Sequence, residues 1–306
     1  MKKQSLLLSL ACTLILSACS SGSEEPEQEP GTDPNKPSVT VPGEPADKTG
    51  MTVRGIVTGN GEPLAGVVVS DGVEVTQTDK DGIYYLPSSK SNGYVFISTP
   101  SGYEAPLEGN TPKFWKKTAE SADKNEVINF SLTKVSQNKV ALMAFADFHL
   151  ANRNSDITQF TNLCNDANNT ANRLKAEGYT VYGVSLGDES WDLYWYSNNY
   201  AFSSAYTEIE RLKMPFYHNM GNHDNNPYYA EDRAAEKSFR SKAGPTFYSF
   251  NAGDAHIVIL DDVQYKNVGG SIGTIGDRSY NAAFADDILD WLKKDLATIT
   301  DKSKPL

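Results

Sequence analysis

Hydrophobic and polar positions change their periodicity twice along the chain. From Met51 to about Val135, short apolar runs alternate with turn-forming sequences such as Gly59-Asn60-Gly61. Val53, Gly55 and Val57 alternate with polar residues as in a strand. Further runs of this kind are Ala65–Ser70, Val73–Thr78, Ile83–Leu86, Tyr94–Ser98 and Val127–Leu132. Short strands at this spacing predict a small all-β sandwich over residues 51–135.

From residue 139 the pattern becomes that of an α/β protein. Apolar runs that predict strands are Val140–Ala146, Tyr179–Leu186, Met214–Met220, Thr246–Phe250 and His256–Leu260. Apolar residues at helical spacing predict helices over Ser155–Glu177, Ala230–Ala243 and Ala285–Ile299. Val263–Ser279 is rich in glycine and predicts a loop that could act as a lid. The predicted fold class is therefore α/β (α+β), with a small all-β domain in front.

Three of these runs end in residues with metal or proton chemistry. They lead into Asp147-Phe148-His149, Gly187-Asp188-Glu189 and Gly221-Asn222-His223-Asp224. Because sites in open α/β sheets form beyond the carboxyl ends of the strands, we expect these loops to meet in one crevice. Carboxylate, imidazole and amide groups there can bind divalent cations. The alternative is that each is a polar turn after a strand.

The residues of the third loop, Gly221-Asn222-His223-Asp224, have different predicted roles. Gly221 would permit a backbone turn that other residues resist. His223 would be a metal ligand or a proton donor, and Asp224 would orient its ring.

The ordered set D-x-H, G-D and G-N-H-D resembles the calcineurin-like metallophosphoesterase family from residue 139 to the end. The resemblance implies a metallophosphoesterase-type β-sandwich flanked by helices. It also implies that two divalent cations, Mn, Fe, Zn or Ni, activate a water that hydrolyses a phosphoester. The implied roles are Asp147 and His149 on the first cation, Asp188 between the two, Asn222 on the second, and His223 with Asp224 in catalysis. The preceding β-domain resembles the carboxypeptidase-regulatory-like domain found before some bacterial phosphoesterases.

Two further motifs of that family, a lone His and then G-H-x-H, have no counterpart in the sequence. They would follow the predicted helix Ala285–Ile299. The chain has four histidines, and none lies beyond His256. We therefore expect the domain over residues 139–306 to be incomplete, and the sequence to be a fragment of a longer protein.

Other residues that could bind a ligand or react also have ordinary structural explanations. The aromatic run Trp191–Tyr196 predicts either a substrate pocket beside Asp188 or core packing. Phe114 and Trp115 favour a contact between the two domains over a carbohydrate platform. His256 lies within a predicted strand and favours a structural role, and Cys164 is expected to be a buried small hydrophobe.

The N-terminal residues predict export and lipid attachment. Lys2 and Lys3 precede the apolar run Leu6–Leu16, which is too short to span a membrane as an ordinary helix. The sequence Leu16-Ser17-Ala18-Cys19 resembles a bacterial lipoprotein box, which implies a signal peptide over residues 1–18 and a lipid on Cys19. The lipid would hold the protein to the cell envelope, at the outer membrane. The alternative is a plain secretory signal cut near Ala18.

Residues 19–50 predict a disordered tether. They are rich in Pro, Glu, Ser, Thr and Gly and have almost no large apolar residues. Four glutamates between positions 24 and 29 resemble the export signal of surface-exposed bacterial lipoproteins, although an acidic solvated linker has the same composition.

Charge and composition limit the functions. The net charge is −11, which argues against non-specific nucleic-acid binding. A phosphorylated substrate remains compatible, because bound cations would invert the charge of the site. Two alternatives to a phosphoesterase stay open: a non-catalytic surface lipoprotein that binds glycan or another cell-surface partner, and a nuclease or nucleotidase of the same fold.

Overall fold

The computed structural model describes residues 43–119, 121–301 and 303–305. The predicted signal peptide and the predicted lipid-attachment residue Cys19 lie outside these residues, as does the predicted tether as far as residue 42. The last residues of the predicted tether contact the first strand. The Arg54 guanidinium donates to the Pro45 carbonyl at 2.6 Å and forms an ion pair with Asp47 at 2.5 Å. Within the described part of the chain, no helix has the length and apolar character needed to cross a membrane.

Short strands build the part of the chain before residue 135. They are β1 (Val53–Gly59), β2 (Glu62–Pro63), β3 (Val68–Ser70), β4 (Val75–Gln77), β5 (Ile83–Leu86), β6 (Tyr94–Ser98), β7 (Tyr103–Glu104), β8 (Leu107–Glu108), β9 (Thr111–Pro112), β10 (Trp115–Lys117), β11 (Glu126–Val127) and β12 (Phe130–Lys134). One sheet has the order β11-β1-β12-β7, with β2 and β5 also paired to β1, and a second has the order β10-β6-β3-β4. Each predicted run therefore contains a strand.

The two sheets bury one apolar layer between them. Val53 and Val57 of β1 are fully buried, as are Val95 and Ile97 of β6. Side chains of a strand alternate between its two faces, so this spacing directs every second residue into the same layer. Each fully buried aliphatic side chain of this kind contributes about 1.5–3 kcal/mol to the free energy of unfolding.

The second part of the chain contains helices and a parallel sheet. Its strands are β13 (Val140–Phe145), β14 (Thr180–Ser185), β15 (Phe216–Tyr217), β16 (Tyr248–Ala252), β17 (Ala255–Ile259), β18 (Val263–Val268) and β19 (Asp277–Ala282). Its helices are α1 (Asp156–Ala176), α2 (Phe202–Ile209), α3 (Asp232–Ala235), α4 (Lys237–Lys242) and α5 (Asp286–Ala297), with short 3-10 helices at Asp192–Tyr194 and Asn222–Asp224. Together with the first part, this arrangement confirms the predicted mixed α/β class.

Strands β13, β14 and β15 form a parallel sheet that is covered on both faces. On one face, Val181 and Phe216 pack with Phe160 and Cys164 of α1. On the other, Tyr217 stacks on Phe250 of β16 with ring centroids 3.7 Å apart. Parallel sheets are usually covered in this way, and the continuous apolar runs of the sequence reflect it. The sheet therefore points all three of its carboxyl ends to the same edge.

The apolar core continues across residue 135. Phe114 is buried and lies 4.5 Å from Tyr248 and 6.0 Å from Tyr217, measured between ring centroids. The Asn251 N–H also donates to the Thr99 carbonyl at 2.9 Å, which joins β16 to the chain just beyond β6. Phe114 thus contacts both parts of the chain, as the sequence favours.

Two sequence-based expectations need correction. The predicted loop Val263–Ser279 contains most of a β-hairpin, in which β18 and β19 pair from Val263 with Ala282 to Val268 with Asp277. Alternating buried and exposed residues in β18 carry this strand signal, which the glycines of the intervening turn obscured. The predicted helix Ala230–Ala243 is two short helices, α3 and α4, separated at Glu236.

Candidate metal centre and active-site cleft

The backbone is strained at three of the predicted metal ligands. Asp147, His149 and Asp188 have φ angles of 56°, 46° and 55°, in the left-handed region that non-glycine residues seldom occupy. Such conformations cost on the order of 1–3 kcal/mol each and persist where the surrounding structure imposes them. Their concentration at the ends of β13 and β14 marks this edge of the sheet as the candidate functional site.

Backbone hydrogen bonds hold the first two loops side by side. The Asp147 N–H donates to the Gly187 carbonyl at 3.2 Å, and the His149 N–H donates to the Asp188 carbonyl at 2.9 Å. These bonds extend the pairing of β13 and β14 beyond the regular sheet. They place the side chains of D-x-H and G-D within reach of each other.

Gly221 is needed for close packing, which corrects the expectation that it is needed for a turn. Its φ of −108° and ψ of 178° are open to any residue. A Cβ at this position would lie 2.2 Å from Oδ1 of Asp188 and 2.3 Å from its backbone nitrogen. Glycine therefore allows the third loop to approach the Asp188 carboxylate.

The predicted ligands gather in one cleft of 710 Å³. Nε2 of His149 lies 3.2 Å from Oδ2 of Asp188. One ligand atom each from His149, Asp188 and His223 falls within 4.8 Å of the others, and Asp147 and Asn222 line the same cleft. Imidazole nitrogen with carboxylate and amide oxygen is a donor set that suits divalent transition metals. The residues of this cleft, above all His149, Asp188 and His223, could therefore hold a metal ion.

The negative charge of the cleft also favours the binding of cations. Asp147, Asp188 and Asp192 line it, and Arg278 is the only Lys or Arg among the described residues that do so. With neutral histidines, three carboxylates and one guanidinium give a formal charge of two negative. An anionic substrate would be repelled by this cleft unless bound cations reversed its sign.

Asp192 is the carboxylate that holds the His223 ring. Its Oδ1 lies 2.8 Å from Nδ1 of His223, and Asp192 itself is buried. This hydrogen bond raises the pKa of His223, while burial of the ring acts in the opposite direction. The His223 N–H also donates to Oδ1 of Asp188 at 2.9 Å. His223 lines the cleft, and its Nε2 makes no hydrogen bond to any described residue, so this nitrogen could serve as a ligand or a proton donor.

The expected contact between Asp224 and the His223 ring is wrong. The Asp224 carboxylate is fully buried and accepts hydrogen bonds from the Gly221 N–H at 2.9 Å and from the Ser190 N–H and hydroxyl, each at 2.8 Å. Burial raises its pKa to about 8, and the nearby Glu189 adds to the effect. Asp224 therefore ties the second loop to the third and stands behind the cleft.

Residues of the aromatic run after Asp188 lie both beside the predicted ligands and in the core. The Trp191 ring lies 4.9 Å from the His149 ring and 5.8 Å from the His223 ring, so it flanks the ligands. Trp195 is fully buried, and its Nε1–H donates to the Ser190 hydroxyl at 3.1 Å. One indole thus borders the site and the other supports it from the core.

The remaining histidines and Cys164 have structural positions. His218 and His256 are buried and lie 2.9 Å from Glu189 and Asp295, respectively. Cys164 is a buried free thiol, and burial raises its pKa to about 11. Neither His256 nor Cys164 lines the cleft.

Sequence reasoning assigned no role to several residues of the cleft. Asp192 lies four positions after Asp188, and its acidic character was the available signal. Tyr265, Arg278 and Tyr280 come from the β18–β19 hairpin and line the same cleft. The alternation of β18 could have revealed the hairpin, but nothing local indicated that it would reach the metal ligands.

Comparison with known families gives one match. Residues 51–135 match the family model described as the N terminal of calcineurin-like phosphoesterase. No curated protein and no solved structure matches the chain. The match covers the β-rich part of the chain, outside the residues that line the cleft. It supports the resemblance drawn from D-x-H, G-D and G-N-H-D independently, because the two rest on different residues.

Proposed function

We propose that this protein is a metal-dependent hydrolase of phosphoesters, whether monoesters or diesters. The observation that carries the proposal is the meeting of Asp147, His149, Asp188, Asn222 and His223 in one cleft. Three of these residues hold left-handed backbone conformations there. The match of residues 51–135 to the N-terminal region of calcineurin-like phosphoesterases supports the same conclusion.

The chain's own residues would divide the work. Asp147, His149 and Asp188 would hold one cation, and Asp188 with Asn222 would contribute to a second. When bound, divalent cations supply Lewis acidity toward a phosphoryl oxygen and lower the pKa of water. His223, held through Nδ1 by Asp192, would direct Nε2 toward the leaving oxygen and donate a proton to it.

The test combines metal binding with hydrolysis, using the protein as the cell makes it. After chelation, Mn²⁺ or Zn²⁺ should raise the melting temperature, because a ligand at 100 times its Kd stabilises the native state by about 2.7 kcal/mol. The same cations should restore hydrolysis of an aryl phosphomonoester or phosphodiester. A protein that binds neither cation and cleaves neither ester would overturn the proposal. Faster cleavage of nucleotides or nucleic acid than of aryl esters would favour the nucleotidase or nuclease alternative.

We also propose that a lipid on Cys19 anchors the protein to the cell envelope, at the outer membrane. The support is the sequence Leu16-Ser17-Ala18-Cys19 behind a positive start and an apolar run. Cys19→Ala should move the protein from the membrane fraction to the soluble fraction. Equal membrane retention of this variant and the wild type would contradict lipid anchoring.

A further inference from the structure

The β18–β19 hairpin presents one of its faces to the cleft. Tyr265 pairs with Tyr280, and Asn267 pairs with Arg278. Because side chains of directly paired residues share a face, these four side chains lie on the same side of the hairpin. Three of them, Tyr265, Arg278 and Tyr280, line the cleft with the metal ligands.

Buried polar contacts fix this face in place. The Tyr265 N–H donates to Oδ1 of Asp232 at 2.9 Å. The Asn267 amide donates to the Pro227 carbonyl at 2.7 Å and to the Tyr229 carbonyl at 3.1 Å. The hairpin is therefore docked on the segment that follows Asp224, so its orientation toward the cleft does not depend on a substrate.

The Arg278 guanidinium has N–H donors that are not used in hydrogen bonds to described residues. Its Nη1 forms an ion pair with Oδ2 of Asp192, the carboxylate whose other oxygen holds His223. Among the described residues, Asp192 is the one hydrogen-bond partner of this guanidinium. A guanidinium has five N–H donors in a planar fork, so one edge can hold Asp192 while another meets an oxyanion.

Tyr265 adds a second donor without a partner. Its side chain is buried, and its hydroxyl makes no hydrogen bond to any described residue. Burial raises the pKa of this hydroxyl and the charge of Asp192 raises it further, so it stays protonated at neutral pH. A buried hydroxyl without a partner is unfavourable, and an incoming acceptor would relieve that cost.

We propose that Arg278 and Tyr265 form an oxyanion subsite, which binds non-bridging oxygens of the phosphoryl group from the hairpin side of the cleft. This inference rests on the proposed phosphoester chemistry of the same cleft. It assigns to the hairpin a substrate-binding role, with Arg278 also positioning Asp192 and through it His223.

The first test measures binding of inorganic phosphate by calorimetry with Mn²⁺ present. Arg278→Lys keeps the charge but loses the fork, and we expect phosphate affinity to fall roughly 10- to 100-fold. Tyr265→Phe should lower it about 3- to 10-fold. In hydrolysis, both variants should raise KM more than they lower kcat. Lys266→Ala controls for a general disturbance of the hairpin, because Lys266 is exposed and lies outside the cleft, and it should bind phosphate like the wild type.

The second test separates binding from stability. Tyr265→Phe removes a hydroxyl without a partner, so its melting temperature should equal or exceed that of the wild type while its phosphate affinity falls. Tyr200→Phe is the matched control, because the Tyr200 hydroxyl is also buried without a partner but lies outside the cleft. It should leave phosphate affinity unchanged.

The outcomes distinguish the subsite from the proposed function. Wild-type hydrolysis combined with unchanged phosphate affinity in Arg278→Lys and Tyr265→Phe would overturn the subsite and leave the function intact. Phosphate binding that depends on both residues without any hydrolysis would support the subsite and overturn the function. Absence of phosphate binding by the metal-loaded wild type would overturn the subsite.

Discussion

Two histidines on the segment between β15 and α3 make nearly the same contact in opposite settings. Nδ1 of His218 lies 2.9 Å from Glu189, and Nδ1 of His223 lies 2.8 Å from Asp192. The His218 side chain is 1% exposed, whereas that of His223 is 27% exposed. The two imidazole–carboxylate pairs therefore differ in access, while their internal geometry is alike.

The second ring nitrogen decides what each pair can do. Nε2 of His218 lies 2.9 Å from the Thr111 hydroxyl, which in turn accepts a hydrogen bond from Tyr206 at 2.8 Å. Nε2 of His223 makes no hydrogen bond to any described residue, and His223 lines the cleft with the predicted ligands His149 and Asp188. A histidine whose nitrogens are both engaged in the core stabilises the fold, and one with a free nitrogen in a charged cleft can bind or transfer a proton. The following substitutions test this distinction, from the largest expected effect on turnover to the smallest.

Asp188→Asn should abolish turnover and metal binding together. Asp188 contacts both His149 and the His223 backbone, so its charge is central to the cleft. Metal content of the purified protein and calorimetric titration with Mn²⁺ measure the loss. Asp166→Asn, on the exposed face of α1, serves as the control and should behave as the wild type. Full metal occupancy in Asp188→Asn would remove this residue from the ligand set.

His223→Ala should lower kcat by about 10²–10⁴ while metal content stays near that of the wild type, because general acid catalysis typically contributes that much. The free energy of unfolding should fall by less than in His218→Ala, because the buried Asp192 carboxylate keeps its ion pair with Arg278. Steady-state kinetics, metal analysis and urea unfolding give the three quantities. If this variant lost as much metal as Asp188→Asn, His223 would be a ligand and its separate role would be refuted.

Asp192→Asn should lower turnover by about 10- to 100-fold, the usual effect of removing a group that orients a functional imidazole. The ring of His223 would keep a neutral acceptor but lose the charge that raises its pKa. Asp224→Asn is the informative comparison, because Asp224 accepts bonds from Gly221 and Ser190 and none from the ring. It should mainly lower the melting temperature. A larger loss of kcat in Asp224→Asn than in Asp192→Asn, at equal stability, would restore the role that the sequence suggested for Asp224.

His218→Ala should have the smallest effect on turnover and a large effect on stability. It leaves the buried Glu189 carboxylate without its hydrogen-bonding partner, and breaking such a buried pair costs about 3–5 kcal/mol. Urea unfolding should show this loss, while turnover of the folded protein stays close to that of the wild type. If His218→Ala left stability unchanged and lowered kcat as much as His223→Ala, the proposed distinction between a structural His218 and a functional His223 would be wrong.

The sequence by itself determined the ligand-bearing edge of the sheet. The apolar runs that became β13, β14 and β15 are local signals, since a strand covered on both faces needs apolar residues throughout. The polar residues that end each run follow from the same boundaries. Parallel pairing then places Asp147, Asp188 and Asn222 at one edge without further information.

Only the tertiary structure decided which partners these residues have. His223 is next to Asp224 in the sequence, yet its ring bonds to Asp192, which lies 31 positions away. Arg278 reaches the same carboxylate from 86 positions away. The reason is that Asp224 is turned toward the backbone donors of two loops, where burial gives it a different function. Hydrogen bonds and electrostatic interactions depend on distance in space, so the contacts of Asp192, Arg278 and Tyr265 could not be predicted from their positions in the sequence.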